Sequence, residues 1–215
     1  MQCSKCRKDA LVFQPYSGQH LCRDHFIIDF EAKAKRTIRK NCWMRPGDHI
    51  AVVLTGSAAD GALLYFFEKL AGKRRDIRFE GVMLQGALSS FIRNARNADY
   101  TKIALATSLE EASAALLTGI VRGQAGVLFG KKSEDVPVIT PFCHIPAEEV
   151  MTYAEIHGIA GTPPPVQRED DTLYSDIAKL LAGYSGRHPG APYAILNLKE
   201  ELECRGPDDR PGQGQ

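Results

Sequence analysis

The sequence predicts an α/β protein whose mostly parallel sheet is covered by helices on both faces, preceded by a small metal-binding knuckle. Two observations predict it. From residue 49 onward, short apolar runs alternate with segments of helical apolar spacing, the pattern of a sheet built through crossover helices. Near the N-terminus, three cysteines and a histidine stand in two closely spaced pairs, C-x2-C and C-x2-H. The 215 residues allow one good-sized core plus an appendage, and 44% apolar with 25% charged residues is ordinary for a globular protein. No apolar stretch approaches the ~20 residues of a bilayer span, and cysteines and charges stand where a signal peptide would have its apolar region. The expectation is therefore a cytoplasmic protein with no membrane partner.

The first element is "CSKCRKDALVFQPYSGQHLCRDHF", in which Cys3, Cys6, Cys22 and His25 can present three thiolates and an imidazole tetrahedrally to Zn²⁺. His20 is an alternative fourth donor, but the x2 spacing favours His25. The intervening "LVFQPYSGQHL" reads as a hairpin turning at Ser17-Gly18. With all four positions filled by protein the site is closed, hence structural. Residues 24–41 follow as a helix with Phe26 or Ile27, Phe30, Ala34 and Ile38 on one face and Lys33, Lys35, Arg36, Arg39 and Lys40 on the others. A charged back face is commonly only solvated, yet five cations in eight residues suit a phosphate backbone. Residues 1–47 carry ten Lys/Arg against four Asp/Glu, whereas residues 165–215 carry six against nine, so the basic end is the one suited to an anionic partner.

Beyond the linker "RPGDH", strands are expected near 49–54, 77–84, 101–106 and 136–140, with helices near 60–71, 87–97, 109–122 and 146–157. The first strand breaks at Thr55-Gly56-Ser57 and hands over to a helix, as a phosphate-cradling turn would. Ser108 and Glu111 form a capping box, Gly123 and Gly158 end helices, and Pro146 starts one. "GTPPPVQREDD" cannot be regular; helices near 171–184 and 190–203 and a flexible tail complete the chain. Cys143 and His144 in "PFCHIP" are read as adjacent strand residues pointing to opposite faces, with Cys143 buried and structural.

Taken in order, the knuckle, the basic helix, "RPGDHIAVVLTG", "ALATSLEEA" and "HPGAPYAIL" resemble the PP-loop ATP pyrophosphatases that 2-thiolate tRNA uridines. The resemblance implies a doubly wound, mostly parallel sheet with nucleotide at the carboxyl ends of its strands. It also implies a chemistry, adenylation of a uridine oxygen followed by sulfur transfer. The family turn reads Ser-Gly-Gly-Lys-Asp-Ser; here Thr55, Gly56, Ser57, Ala58, Ala59 and Asp60 take those places, so the cation that would stabilise the departing pyrophosphate is missing. The family's cluster- or persulfide-bearing cysteines have no counterpart between Leu84 and Lys102 or in "GTPPPVQ", and a second zinc module has dwindled to Cys204.

These departures lead to an expected organisation and function. The parts are a zinc knuckle (1–27), a basic helix and linker (28–47), a degenerate PP-loop domain (48–160), a helical segment (161–205) and a tail (206–215). The expected role is a zinc-binding adaptor or regulatory subunit without catalysis. Its partner would be tRNA or an active PP-loop paralogue, met through Lys33, Lys35, Arg36, Arg39 and Lys40, with homodimerisation left open. No iron–sulfur cluster is expected. The rival is an enzyme that still holds ATP or AMP at Thr55, Gly56, Ser57 and Asp60, with Asp60, Glu110 and Glu111 around Mg²⁺. A third reading is a purely structural zinc protein.

Overall fold

The computed structural model describes residues 1–72, 75–124, 136–161 and 171–205, with side chains to residue 202. The irregular "GTPPPVQREDD" beyond Gly161, the tail and the side chain of Cys204 lie outside the described residues. The described chain divides into two compact units, residues 1–109 with 136–161, and residues 110–124 with 171–205.

In the first unit, strands β1 (Val12–Gln14) and β2 (Gln19–Leu21) form the hairpin, with Val12 opposite Leu21 and Phe13 opposite His20. Gly18 takes φ 65° at the turn, the left-handed region that a side chain would resist. Helix α1 (Arg23–Lys40) follows directly and buries Phe26, Phe30, Ala34 and Ile38, the stripe its spacing predicts. Strand β3 (His49–Leu54) is central, flanked by β4 (Arg78–Met83) and β5 (Lys102–Ala104), with β6 (Val138–Ile139) beyond β5; every pair is parallel. The crossovers are α2 (Ala58–Ala71) and α3 (Leu88–Asn94), the latter continued by a 3₁₀ turn at Ala95–Ala98. Helix α5 (Ala147–Ile156) closes this unit. The second unit holds α4 (Leu109–Val121, from Glu110 onward), α6 (Thr172–Ser185) and α7 (Ala191–Arg205). In it Ser113 donates to the Pro192 carbonyl at 3.1 Å and Arg122 pairs with Asp171 at 2.6 Å.

Strand order β4-β3-β5-β6 places the reversal of winding between β3 and β5, and the turn that ends β3 lies at that switch point. The core of the unit is aromatic: Phe30 stacks on Tyr153 at 4.1 Å and meets Phe142 edge-on at 5.0 Å, and Phe66 meets Phe142 at 5.8 Å. Three expectations need correction. At the edge strand β4 the α2 face is covered, with Phe79 stacked on Phe67 at 4.6 Å, while Met83 is 59% exposed, because "RFEGVM" supplies little apolar surface to bury. The last strand stops at Ile139. Cys143 and His144 therefore sit in a turn, where Cys143 N–H donates to the Thr140 carbonyl, and Cys143 is half-buried rather than buried.

Candidate metal centre and phosphate turn

Cys3 and Cys6 come from the loop before β1, Cys22 follows β2 and serves as the N-cap of α1, and His25 lies in that helix's first turn. The hairpin thus folds the C-x2-C loop onto the helix start. Four donor atoms, one from each residue, lie within 4.8 Å of one another. Cys3 Sγ to His25 Nδ1 is 3.5 Å, Cys22 Sγ to His25 Nδ1 is 3.4 Å, and Cys6 Sγ to Cys22 Sγ is 3.7 Å. A tetrahedral ion with Zn–S bonds of ~2.3 Å needs sulfurs ~3.8 Å apart, so the donor set fits one such ion. His20 is not in the set; its ring stacks on Phe13 instead. Burial would raise the Cys3 thiol, but the amides of Cys22, Lys5 and Cys6 and the His25 ring outweigh it and bring the thiol down to about 6. The Lys8 amide favours the Cys6 thiolate, yet burial and the neighbouring sulfurs of Cys22 and Cys3 leave that thiol raised. Crowded sulfurs of this kind are relieved by a bound cation.

The turn after β3 is built differently. Ser57 caps α2, its hydroxyl accepting the Asp60 N–H at 3.2 Å. Asp60 then reaches back, and its Oδ2 accepts from Thr55 N–H at 2.7 Å and from Thr55 Oγ1 at 2.6 Å. Gly56 adopts φ 91°, which lets the chain double over. The Thr55 donors, which a phosphate could otherwise have used, are committed to the protein's own carboxylate. Gly161 closes the approach from outside: a Cβ there would lie 2.3 Å from Ala58 N and 2.7 Å from the Ser57 carbonyl carbon. Ala58, Ala59 and Asp60 are all buried. Asp60 and the Glu110–Glu111 pair fall in different units.

The cationic helix face divides into two sets. Lys33 pairs with Asp29 at 2.7 Å and Glu149 at 3.1 Å and donates to Tyr16, and Lys35 pairs with Glu31 at 3.0 Å. Arg36, Arg39 and Lys40 are exposed, with Arg39 Nε donating to the Lys35 carbonyl at 3.2 Å. Lys33 and Lys35 are thus engaged with acidic side chains of the fold. A clasp without a local sequence signal joins these elements. Glu149, on α5, accepts from Tyr16 at 2.5 Å and from Gln14 Nε2 at 3.2 Å, so Lys33 and Glu149 tie the hairpin and α1 to α5.

Residues 2–27 match the family described as "2-thiouridine synthetase TtuA, N-terminal LIM domain". A tRNA 2-thiolation protein NcsA of Haloferax volcanii is 46% identical over 41 residues, 19% of this chain and 13% of that protein. Cytoplasmic tRNA 2-thiolation protein 1 of Drosophila pseudoobscura is 35% identical over 81 residues, 38% of this chain and 23% of that protein. The matched stretch thus spans less than a quarter of these relatives. A solved structure, the U34-tRNA thiolase NcsA from Methanococcus maripaludis with its 4Fe–4S cluster, has a TM-score of 0.80 at 16% identity, covering 100% of this chain and 92% of that one. It shares the fold. It also overturns the expectation that no iron–sulfur cluster goes with such a chain. That expectation counted cysteines segment by segment, whereas the same fold holds a cluster in the thiolase and thiolates are gathered here in space at Cys3, Cys6 and Cys22. Among the described residues no helix is long and apolar enough to cross a membrane. The N-terminal segment thus matches the TtuA LIM-domain model, short stretches are similar to the NcsA and 2-thiolation-protein-1 relatives, and the thiolase structure shares the fold.

Proposed function

We propose that this chain is a zinc-binding, non-catalytic PP-loop protein that serves tRNA 2-thiolation in the cytoplasm as an adaptor or regulatory subunit, engaging tRNA through its N-terminal module. One observation carries the non-catalytic part: Asp60 closes the turn by accepting from Thr55 N–H and Oγ1, while Ala58 stands where the family has its lysine. A carboxylate already in that place repels an incoming phosphate, and nothing at position 58 offsets the charge of a departing pyrophosphate. Zinc is the ion that best matches three sulfurs and one nitrogen at these separations. The tRNA assignment rests on the relatives' names and on the exposed Arg36, Arg39 and Lys40.

Calorimetric titration with ATP, with and without Mg²⁺, is expected to give no binding heat, and ATP-to-AMP turnover on tRNA is expected to be absent. Robust turnover lost in Gly56→Trp would refute the reading. The tRNA part is tested across a salt series: Arg36→Glu with Lys40→Glu should lower affinity and flatten the salt dependence by about two contacts, since fewer counterions are released.

A second reading is an active thiolase, and the likeness to a cluster-bearing thiolase fold favours it. Anaerobic purification followed by iron, sulfide and zinc analysis, beside a thiolation assay, separates the two. Cluster-level iron together with thiolated uridine would establish the second reading.

A further inference from the structure

The metal hairpin has two faces, and only one is used by the fold. Inward-pointing Val12 and Leu21 form one cross-strand pair, with Leu21 fully buried, and Gln14 beside them is buried too. The opposite face presents Phe13 paired with His20, their rings stacked at 4.6 Å and 27°. Phe13 remains 52% exposed and Leu11, two residues earlier on the same face, 56%. His20 covers one face of the Phe13 ring. An exposed aromatic on a small domain costs solubility without adding to the core, so its presence asks for a ligand with a flat apolar surface.

The surroundings choose the class of that ligand. Ser4 ties the first metal loop to the aromatic strand, its N–H donating to the His20 carbonyl at 2.7 Å and its Oγ accepting the His20 N–H at 3.0 Å. That loop carries the exposed Arg7 and Lys5, the latter 3.7 Å from Asp29. Residues 1–27 hold four Lys/Arg against two Asp/Glu. A stacking surface flanked by cations suits an unpaired nucleotide, whose base lies on the ring and whose phosphates meet the charges.

We propose that Phe13, backed by His20, is a stacking platform for an unpaired base of RNA, with Arg7 taking a neighbouring phosphate. The inference rests on the tRNA part of the proposed function and adds the contact by which an unpaired base is held.

The test uses the metal-loaded full chain and fluorescence anisotropy with a tRNA transcript and a short oligouridine, over a salt series. Phe13→Ala is expected to weaken both by about tenfold with the salt slope unchanged, because stacking releases no counterion. Phe13→Leu should be as poor as alanine and Phe13→Trp should restore binding, which separates a π-face from mere apolar volume. Arg7→Ala should reduce the slope by about one. Metal content and circular dichroism of each variant confirm that the hairpin is intact. If the parent binds tRNA and Phe13→Ala does too, the platform is overturned while the adaptor reading stands. If the parent binds neither RNA, both fall. A Phe13→Ala effect on sedimentation instead of RNA affinity would mark a protein contact and overturn the proposal.

Discussion

The metal centre and the β3–α2 turn are both short polar constellations at the ends of secondary structure, and they differ in what lies at their focus. At the metal centre the donors of Cys3, Cys6, Cys22 and His25 converge within 4.8 Å with no counter-charge among them. At the turn, the focus of Thr55 is occupied by Asp60 from the same chain. Sulfur and nitrogen donors that converge on one point with no ammonium or guanidinium among them describe a site built for a foreign ion. Donors satisfied by a neighbouring side chain describe one that needs nothing from outside.

The largest effect should come from emptying the first site. Cys6→Ala is expected to reduce zinc from about one equivalent to nearly none, and proteolysis should then open residues 1–27 first, since structural zinc supplies about 10–16 kcal/mol of folding free energy in small modules. Metal analysis checks it; retained zinc would erase the contrast. Next is the clasp. Glu149→Ala leaves Lys33 with Asp29 alone and takes the acceptor away from Tyr16 and Gln14, a loss of about 1–3 kcal/mol. Urea denaturation followed through the lone Trp43 reads this directly.

Asp60→Ser sharpens the comparison from the other side. Removing the carboxylate should destabilise the protein by about 1–3 kcal/mol, the worth of its charged hydrogen bonds to Thr55, without restoring ATP turnover. Thermal melts with and without pyrophosphate measure both outcomes.

The smallest effect is the pH response. Burial would raise the carboxyl groups of Asp29 and Glu31, but Lys33 with Gln14, and Lys69 with Lys35, hold them below their usual range. Because the folded values lie below the unfolded ones, these groups stabilise the protein above about pH 4–5 and cease to do so as pH falls through the folded values. Melting temperature should therefore be nearly flat from pH 7 to about 5 and decline below about 4.

Much of this was legible in the residues. The knuckle declared itself because ligand chemistry demands residue type and spacing together, and β3, α2 and α1 because apolar period marks length and face. Other features had local signals that spacing alone passed over. Asp29–Lys33 and Glu31–Lys35 are i,i+4 pairs on α1, a spacing that foretold their ion pairs. Ser57-x-x-Asp60 is a capping-box pattern that hinted at the reach-back of Asp60. The clasp through Glu149 and the passage of Gly161 over α2 join residues about a hundred positions apart, and nothing local encodes them.

The approach of Gly161 to Ala58 has a consequence for how this turn could change. Ala58 is 3% exposed, and a Cβ at position 161 would already sit 2.3 Å from its nitrogen. A lysine introduced at 58 alone would thrust an ammonium into packed aromatic and aliphatic neighbours, while displacing the strand of chain at 161 alone would uncover a helix end with no cation to offer. Each step is harmful without the other, so the two positions are bound by sign epistasis. Conversion to a lysine-bearing turn would have to cross a valley in fitness, and single substitutions recovered by selection are expected to fall elsewhere.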